Sequence, residues 1–474
     1  MKRVAGVFLG RRLRGVLVAM TVLAIAVLAM FVLATGVAEA QSLRDSAQQA
    51  VKTNPRLDVV TNNRQAVEQE LARARGQYLP QVDLRAGVGP EWSENGTTRA
   101  RGDNWAYRTR RESGVFVTQR LFDGWETDSE VERQKARGQS AARRVGETSE
   151  IVALDAIEAH IDVLRQRELV RLAQDNLEVH RRILGRVRQR AGNGAAPMAD
   201  VDQARARLEN ADAILIETRG ALEDAENRYE FIVHRRPGAL GPAEFPRQAL
   251  DRASSADAAV ERARRQNRTL RITESDVVVA EREIDAADAP FYPRVNLEVG
   301  ATRNRDIDGA KGDDNDVSAL VVMRWNLYRG GSDIAQRRVA LGRMSQAMAQ
   351  RQVAARNAEE EARRSWVQYT TANDRLQPLR NAIDRNRRVR NAYNDQFFNQ
   401  GQRSLIDVLN AENELFVSRG RLVSADQTRT FSAYRLLAAM GDLVDVLGLE
   451  IPAEADEAKP APVPQDPRPG RAKR

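Results

Sequence analysis

The chain carries one structural unit twice, and that repetition limits what it can fold into. Pro80-Gln81-Val82-Asp83-Leu84 returns as Pro293-Arg294-Val295-Asn296-Leu297, 213 residues on. Leu121-Phe122-Asp123-Gly124 returns as Leu327-Tyr328-Arg329-Gly330 after 206 residues, and Asp200-Val201 with Leu208 returns as Asp407-Val408 with Leu415 after 207. Each copy runs in the same order: a helical stretch, two short alternating strands, a very long helical stretch, a turn and a shorter helix. A repeat of this length exceeds solenoid periods, so it reads as a duplicated half-molecule. The halves are placed at 41–240 and 241–450. Four strands result, too few to close a membrane barrel alone.

The strands have period-two alternation. Val82, Leu84, Ala86 and Val88 alternate with Asp83, Arg85 and Gly87, and Val295, Leu297, Val299 and Ala301 alternate with Asn296, Glu298, Gly300 and Thr302. Such a pattern gives one apolar and one polar face. The strand after the second loop places Val317, Ala319, Val321, Met323, Trp325 and Leu327 on one face, while the register around Val115 and Val117 is ambiguous. Lengths match the roughly 9–11 residues of a tilted outer-membrane strand. A soluble sandwich edge fits the same alternation.

The helices are the larger signal. Thr127 to Arg190 has no proline, and Ser332 to Gln400 has only Pro378; at 1.5 Å per residue each reaches on the order of 100 Å. The return helices carry apolar positions at spacings of three and four: Val201, Ala204, Leu208, Ala211 and Leu215 in one copy, Val408, Ala411 and Leu415 in the other. That spacing predicts coiled-coil packing. Gly194, Ala195 and Pro197 fall in one turn between long and short helix; Gly401, Ser404 and Leu405 fall at the other.

Composition narrows the function classes. Charged residues make up 30% and aromatics 5%, which favours extended helices over a thick core. There is no cysteine, so neither a disulfide nor a thiolate metal site is possible. Of the net charge of +8, half lies in the first forty residues, and the rest is interleaved with acids. That is not a nucleic-acid footprint. The basic start, the apolar run from Val16 to Ala34 and the small-x-small site Ala38-Glu39-Ala40 read as a signal peptide over 1–40. The tail over 451–474, rich in Pro, Ala and charge, is expected to be disordered. His160, His180 and His234 are scattered, no nucleophile–base set appears, and no cofactor is implied; enzyme is the weakest class. The Asp-rich loop (Asp306, Asp308, Asp313, Asp314, Asp316) lacks calcium-loop spacing and reads as solvated.

Together, the duplication, the export signal, the Tyr-Leu-Pro-x-Val strand start, the Leu-Phe-Asp-Gly exit and the paired helical turns resemble the TolC-type outer-membrane channel family over about Ser42 to Leu449. The resemblance implies a mainly α protein with membrane β structure: a homotrimer whose chains give four strands each to a twelve-stranded transmembrane β-barrel, continued by a long periplasmic α-helical barrel. It implies an outer-membrane exit duct working with a periplasmic adaptor and an inner-membrane transporter, with outer-membrane lipid around the barrel. The overall layout is most similar to members serving type I protein secretion; drug or metal efflux is the close alternative.

Gly401-Gln402-Arg403-Ser404-Leu405-Ile406-Asp407-Val408-Leu409 resembles the family's turn motif. On that resemblance Asp407 is the gate carboxylate, Arg403 the latch and Asp200 its partner, with the tip turns docking the adaptor. Two departures stand out. Asn410 occupies the position where some members carry a second aspartate, and Phe398 replaces the family's latch tyrosine. Read without the resemblance, Asp200 and Asp407 are helix N-caps. A rival of another class is an interaction protein: a periplasmic coiled coil anchored in the inner membrane by an uncleaved Val16–Ala34.

Overall fold

The structure, a computed structural model, describes residues 40–463. The expected signal peptide, all but Ala40, and the last eleven residues lie outside them. Four strands form one antiparallel sheet in chain order: β1 (Gln81–Glu91), β2 (Arg108–Phe122), β3 (Arg294–Arg305) and β4 (Asp313–Arg324). All four are the strands anticipated from alternation. β3 and β4 reach further into their loop than expected, and β4 stops at Arg324, short of Trp325 and Leu327.

Register explains how the two faces are built. Val82, Val117, Val299 and Ala319 lie in one cross-strand row, and Leu84, Val115, Ala301 and Val317 in the next. Asp83, Phe116, Gly300 and Ser318 form a row on the opposite face, as do Arg85, Gly114, Thr302 and Asp316. The apolar face is bare: Leu84 is 77% exposed and Val317 81%. β2 was ambiguous in sequence because Phe116, on the face opposite Val115 and Val117, makes three successive residues apolar. Further along, its pairing with β3 shifts between Arg120 and Phe122 and leaves Leu121 out of the ladder.

The helices are α1 (Leu43–Thr53), α2 (Pro55–Gly76), the short α3 (Gly96–Arg101), α4 (Glu126–Gly192), α5 (Met198–Val233), α6 (Arg247–Leu250), α7 (Ala256–Gln266), α8 (Arg268–Asp288), α9 (Ser332–Asp374), α10 (Leu376–Asp395), α11 (Leu405–Met440) and α12 (Leu443–Leu447). Among the described residues, no helix is long and apolar enough to cross a membrane. The Leu-Phe-Asp-Gly exit has a physical purpose. Asp123 accepts from the Thr127 backbone N–H at 3.0 Å and from its hydroxyl at 2.6 Å, satisfying a donor at the start of the 67-residue α4. Gly124 has φ +72°, and a Cβ there would meet the Ala289 carbonyl oxygen at 2.6 Å. No other residue turns this corner without displacing the backbone.

The second copy is less regular. The expected continuous helix from Ser332 to Gln400 breaks at Arg375, with Pro378 third in α10, where a missing N–H is tolerated. It ends in a π turn, Gln396–Gln400.

Contacts divide the chain into two units. One comprises Met1–Gln49, Ala156–Phe245 and Leu379–Gln427; the other, which holds the sheet, comprises Ala50–Asp155, Pro246–Pro378 and Thr428–Arg474. Each draws on both sequence repeats, so the halves do not fold as separate globules.

In the sheet-bearing unit, the expectation of a disordered tail from residue 451 does not hold for its first part. Glu454 accepts from Gln65 at 3.0 Å, Glu457 pairs with Arg143 at 3.0 Å, and Arg64 donates to the Lys459 carbonyl at 3.3 Å. The charged residues that suggested disorder find partners on α2 and α4.

In the other unit a buried polar chain ties the start of α1 to the segment between the repeats. Tyr229 and Ser46 hydroxyls lie 2.9 Å apart, Ser46 Oγ lies 2.8 Å from His160 Nδ1, and His160 Nε2 lies 3.0 Å from the Gly241 carbonyl oxygen. All donors and acceptors are matched if Nε2 carries the proton and Nδ1 accepts from Ser46. Gln41 adds a parallel β-bridge to Leu240. Burial, aided by Arg167, holds His160 below its ordinary value and therefore neutral. The unfolded chain binds a proton near pH 6.5. The His160 contribution to stability is thus complete above about pH 6.5 and is lost as pH falls below it. His160→Gln is expected to lower the thermal midpoint of the purified protein at pH 7.5 and to shrink its drop between pH 7.5 and 5. An unchanged pH slope in scanning calorimetry contradicts this assignment.

Candidate gate at the hairpin turns

Both hairpin turns belong to the same unit and are closed by left-handed glycines. Gly194 (φ +70°) follows α4, and Gly401 (φ +67°) follows the π turn. Ala195 N–H bonds back to the Arg190 carbonyl at 2.8 Å, and Gln402 N–H to that of Gln396 at 2.9 Å, meeting carbonyls that a helix end leaves free. Pro197, between the Gly194 turn and α5, is the N-cap of α5, without a side-chain bond.

Asp200 and Asp407 are each third in their helices rather than N-caps. Ser404 does the capping in the second turn. Its hydroxyl accepts from the Asp407 N–H at 3.4 Å and donates to the Asp407 carboxylate at 2.8 Å. Both aspartates therefore sit in a helix first turn, where the dipole favours negative charge. The Asp407 side chain keeps 37% of its surface exposed.

Within one chain Arg403 turns back onto its own hairpin. Its Nε donates to Gln396 Oε1 at 3.1 Å, its guanidinium lies 4.4 Å above the Tyr393 ring, and its Nη1 is 3.8 Å from Asp407. Among the described residues, no ion pair joins Arg403 to Asp200 within the chain. Asn410 is engaged with the other hairpin: its Oδ1 accepts from Arg207 Nη2, on α5, at 3.2 Å. Asn410 is thus a neutral acceptor already in use.

The strongest link between the hairpins was missed in the sequence. Arg186 and Arg190, one turn apart at the end of α4, face Phe398 and Phe397. Arg186 lies 3.5 Å above the Phe398 ring and Arg190 4.6 Å above that of Phe397. Arg190 Nη1 also donates to the Phe397 carbonyl at 2.6 Å. The residue at the family's latch-tyrosine position is thus an aromatic platform for a cation. The π turn brings two adjacent phenylalanines into this packing, their rings 4.7 Å apart. An arginine pair at i, i+4 opposite a Phe-Phe doublet was the available signal.

Below lies an apolar layer in which Val187, Val201, Ala204, Leu405, Val408 and Leu409 are buried together. Leu405, expected among the docking residues, is core at 3% exposure, whereas Gly194, Ala195, Pro197, Gly401 and Ser404 are on the surface. Val201, Ala204, Ala211 and Leu215 are buried as the heptad predicts, and so are Val408, Ala411 and Leu415. Among the described residues, no group of three or more His, Asp or Glu is placed to hold a metal ion. In the Asp-rich loop, Asp306 accepts from the Gly312 N–H and Asp308 pairs with Arg110.

An exported chain with a half-lipid-facing sheet and long paired helices defines an outer-membrane channel subunit, and comparison with known proteins agrees. The family described as outer membrane efflux protein matches residues 46–232 and 259–442, and the chain belongs to it. It is 27% identical to the outer membrane efflux protein BepC of Brucella suis biovar 1, over 87% of this chain and 88% of that protein. It is 23% identical to the alkaline protease secretion protein AprF of Pseudomonas aeruginosa, over 86% of each. Its fold is similar to that of CusC, with a TM-score of 0.73 at 15% identity, covering 85% of this chain and 92% of CusC. The protein is located in the outer membrane. The alternative of a coiled coil anchored in the inner membrane gives way to this membership and to the bare apolar sheet face.

A cation over an aromatic contributes about 0.5–2 kcal/mol, and a hydrogen bond from a charged group about 1.5–3 kcal/mol. Arg190→Ala, which removes both, is expected to loosen the turns by about 2 kcal/mol and to speed tryptic cleavage there several-fold. Cleavage at the wild-type rate contradicts a structural link through Arg190.

Proposed function

We propose that this protein is the passive outer-membrane duct of a tripartite export system serving type I protein secretion. It assembles as a homotrimer with twelve strands in one barrel and is engaged at its turns by an adaptor and an inner-membrane transporter. The observation that carries this reading is the sheet: four antiparallel strands with an exposed apolar face and two unpaired edges. Open edges do not survive in hydrocarbon, so neighbouring copies have to pair them. The protein performs no chemistry in this role; its work is to enclose water and to open at the turns.

Asp407 supplies the gate charge. Three symmetry-related carboxylates near an axis repel one another and attract cations. With Asn410 in place of a second acid the ring carries half the charge, so cation block is expected to be weak. Arg403 is the latch and Asp200, on the other hairpin, its partner; to meet it Arg403 exchanges its contacts with Gln396 and Tyr393. The turns at Gly194, Ala195, Pro197, Gly401 and Ser404 present the docking surface to the adaptor.

The likeness to AprF, whose name specifies protease secretion, supports the protein-export reading. The likeness to BepC, an efflux protein, favours efflux as the second reading. Deleting the gene separates them: loss of secreted protein with unchanged drug tolerance supports the first, and drug sensitivity with normal secretion supports the second. In planar bilayers, Arg403→Ala is expected to raise single-channel conductance severalfold. Wild-type conductance in that variant removes Arg403 from the latch role.

A further inference from the structure

Three arginines on the lipid-facing side of the sheet are not explained by the duct. Arg111 in β2 stands directly opposite Arg305 in β3, and Arg303 lies one row away, beside Ser113. Above them along the strands come the loops; below them the face is apolar. The row of Ala86, Ser113, Arg303 and Asn315 follows directly on that of Leu84, Val115, Ala301 and Val317.

We propose that this end of the sheet is a binding surface for the phosphorylated headgroup of an outer-leaflet glycolipid, held by Arg111, Arg303 and Arg305. The inference rests on the barrel reading above, which puts the helices in the periplasm and these loops outside the cell. Four apolar rows precede the arginines, from Val295 and Met323 up to Ala301 and Val317. At two residues per row and about 3.4 Å per residue, tilted by about 40°, they span roughly 20 Å of membrane. The guanidinium groups therefore stand where hydrocarbon ends and headgroups begin, a depth at which arginine is tolerated.

Charge balance points to an anion. Like charges directly opposed across two strands destabilise a sheet. The one carboxylate on these rows is Asp313, whose oxygen is 3.8 Å from Arg305 Nε. The Arg111 and Arg303 side chains have no ion pair among the described residues. On the opposite face at the same level, Arg110 is tied to Glu91, Glu112 and Asp308. The lipid-side rows thus keep a net charge of about +2, whereas on the lumen side Arg110 is outnumbered by the carboxylates around it. The three side chains line a shallow groove of about 530 Å³ with Ala86, Val88, Ser113 and two carboxylates, Asp313 and Glu112, the second of which is paired with Arg110. A phosphate that accepts from paired guanidinium forks, with acyl chains lying on the apolar rows below, fits both halves of that surface.

The test uses the full mature protein in its native assembly, in detergent, with adducts counted by native mass spectrometry. The probes are bisphosphorylated lipid A, its dephosphorylated form and inorganic phosphate. The wild type is expected to bind the bisphosphorylated lipid at least tenfold more tightly than the dephosphorylated one. The triple variant Arg111→Gln, Arg303→Gln, Arg305→Gln is expected to lose that preference, single Arg303→Gln to lose part of it, and Arg85→Gln, on the lumen face, to keep it. Three results overturn the proposal: no preference in the wild type, preference retained in the single and triple variants, or equal occupancy by inorganic phosphate alone. Conductance of the same samples keeps the two readings apart. A wild type that conducts but shows no lipid preference fails this proposal only, whereas a wild type that never conducts fails the duct.

Discussion

Backbone N–H and C=O groups along the free edges of β1 and β4 constrain everything else in this protein. Among the described residues, β1 pairs only with β2 and β4 only with β3. In a bilayer each unpaired backbone group costs several kcal/mol, and no water is at hand to offset it. The sheet's other property is an apolar face with Leu84, Val88, Val317 and Val321 exposed; it suits lipid, and nothing among the described residues covers it. Four strands with that face and those edges form a wall segment, and the wall is complete only when other copies pair the edges.

The helical part solves a different problem. Long helices with many alanines and heptad spacing pack closely without a thick core, so they extend a passage rather than fill it. Control then falls to the turns. Here the hairpins of one chain are joined by Arg186 and Arg190 over Phe398 and Phe397 and by Arg207 to Asn410. Arg403 is held on its own hairpin by Tyr393 and Gln396. The arginine–phenylalanine stacks and the Arg207–Asn410 bond hold the two hairpins of the chain together.

Much of the fold was legible because its signals are local. Alternation at Val82–Val88 and Val295–Ala301 marks strands whatever surrounds them, and the repeat of Leu-Phe-Asp-Gly marks where strand becomes helix. In β2 the register was hidden because Phe116, between Val115 and Val117, puts an apolar residue on the other face. The break at Arg375 and the π turn were not visible either, because both are settled by packing rather than by propensity. At the hairpin turns, the motif singled out Asp407, Arg403 and Asp200, but not the side chains they contact. Ser404 as cap lies one residue outside the helix and three before Asp407, while the arginine–phenylalanine stacks depend on residues 207 or more positions apart meeting across two hairpins, which spacing along one helix does not report. The tail was misread because its charges, taken alone, look solvated, whereas α2 and α4 offer Gln65 and Arg143 to receive them.

Closure of the barrel by neighbouring chains is most directly measured by cysteine cross-linking between edges. The natural chain has no cysteine, so single cysteines stepped along β1 and along β4 report on one contact at a time. Pairing of one chain's β4 with the next chain's β1 predicts a register at which oxidation in intact outer membranes yields a covalent trimer resistant to denaturant. Only monomers at every register, from protein that reaches the outer membrane, contradict it.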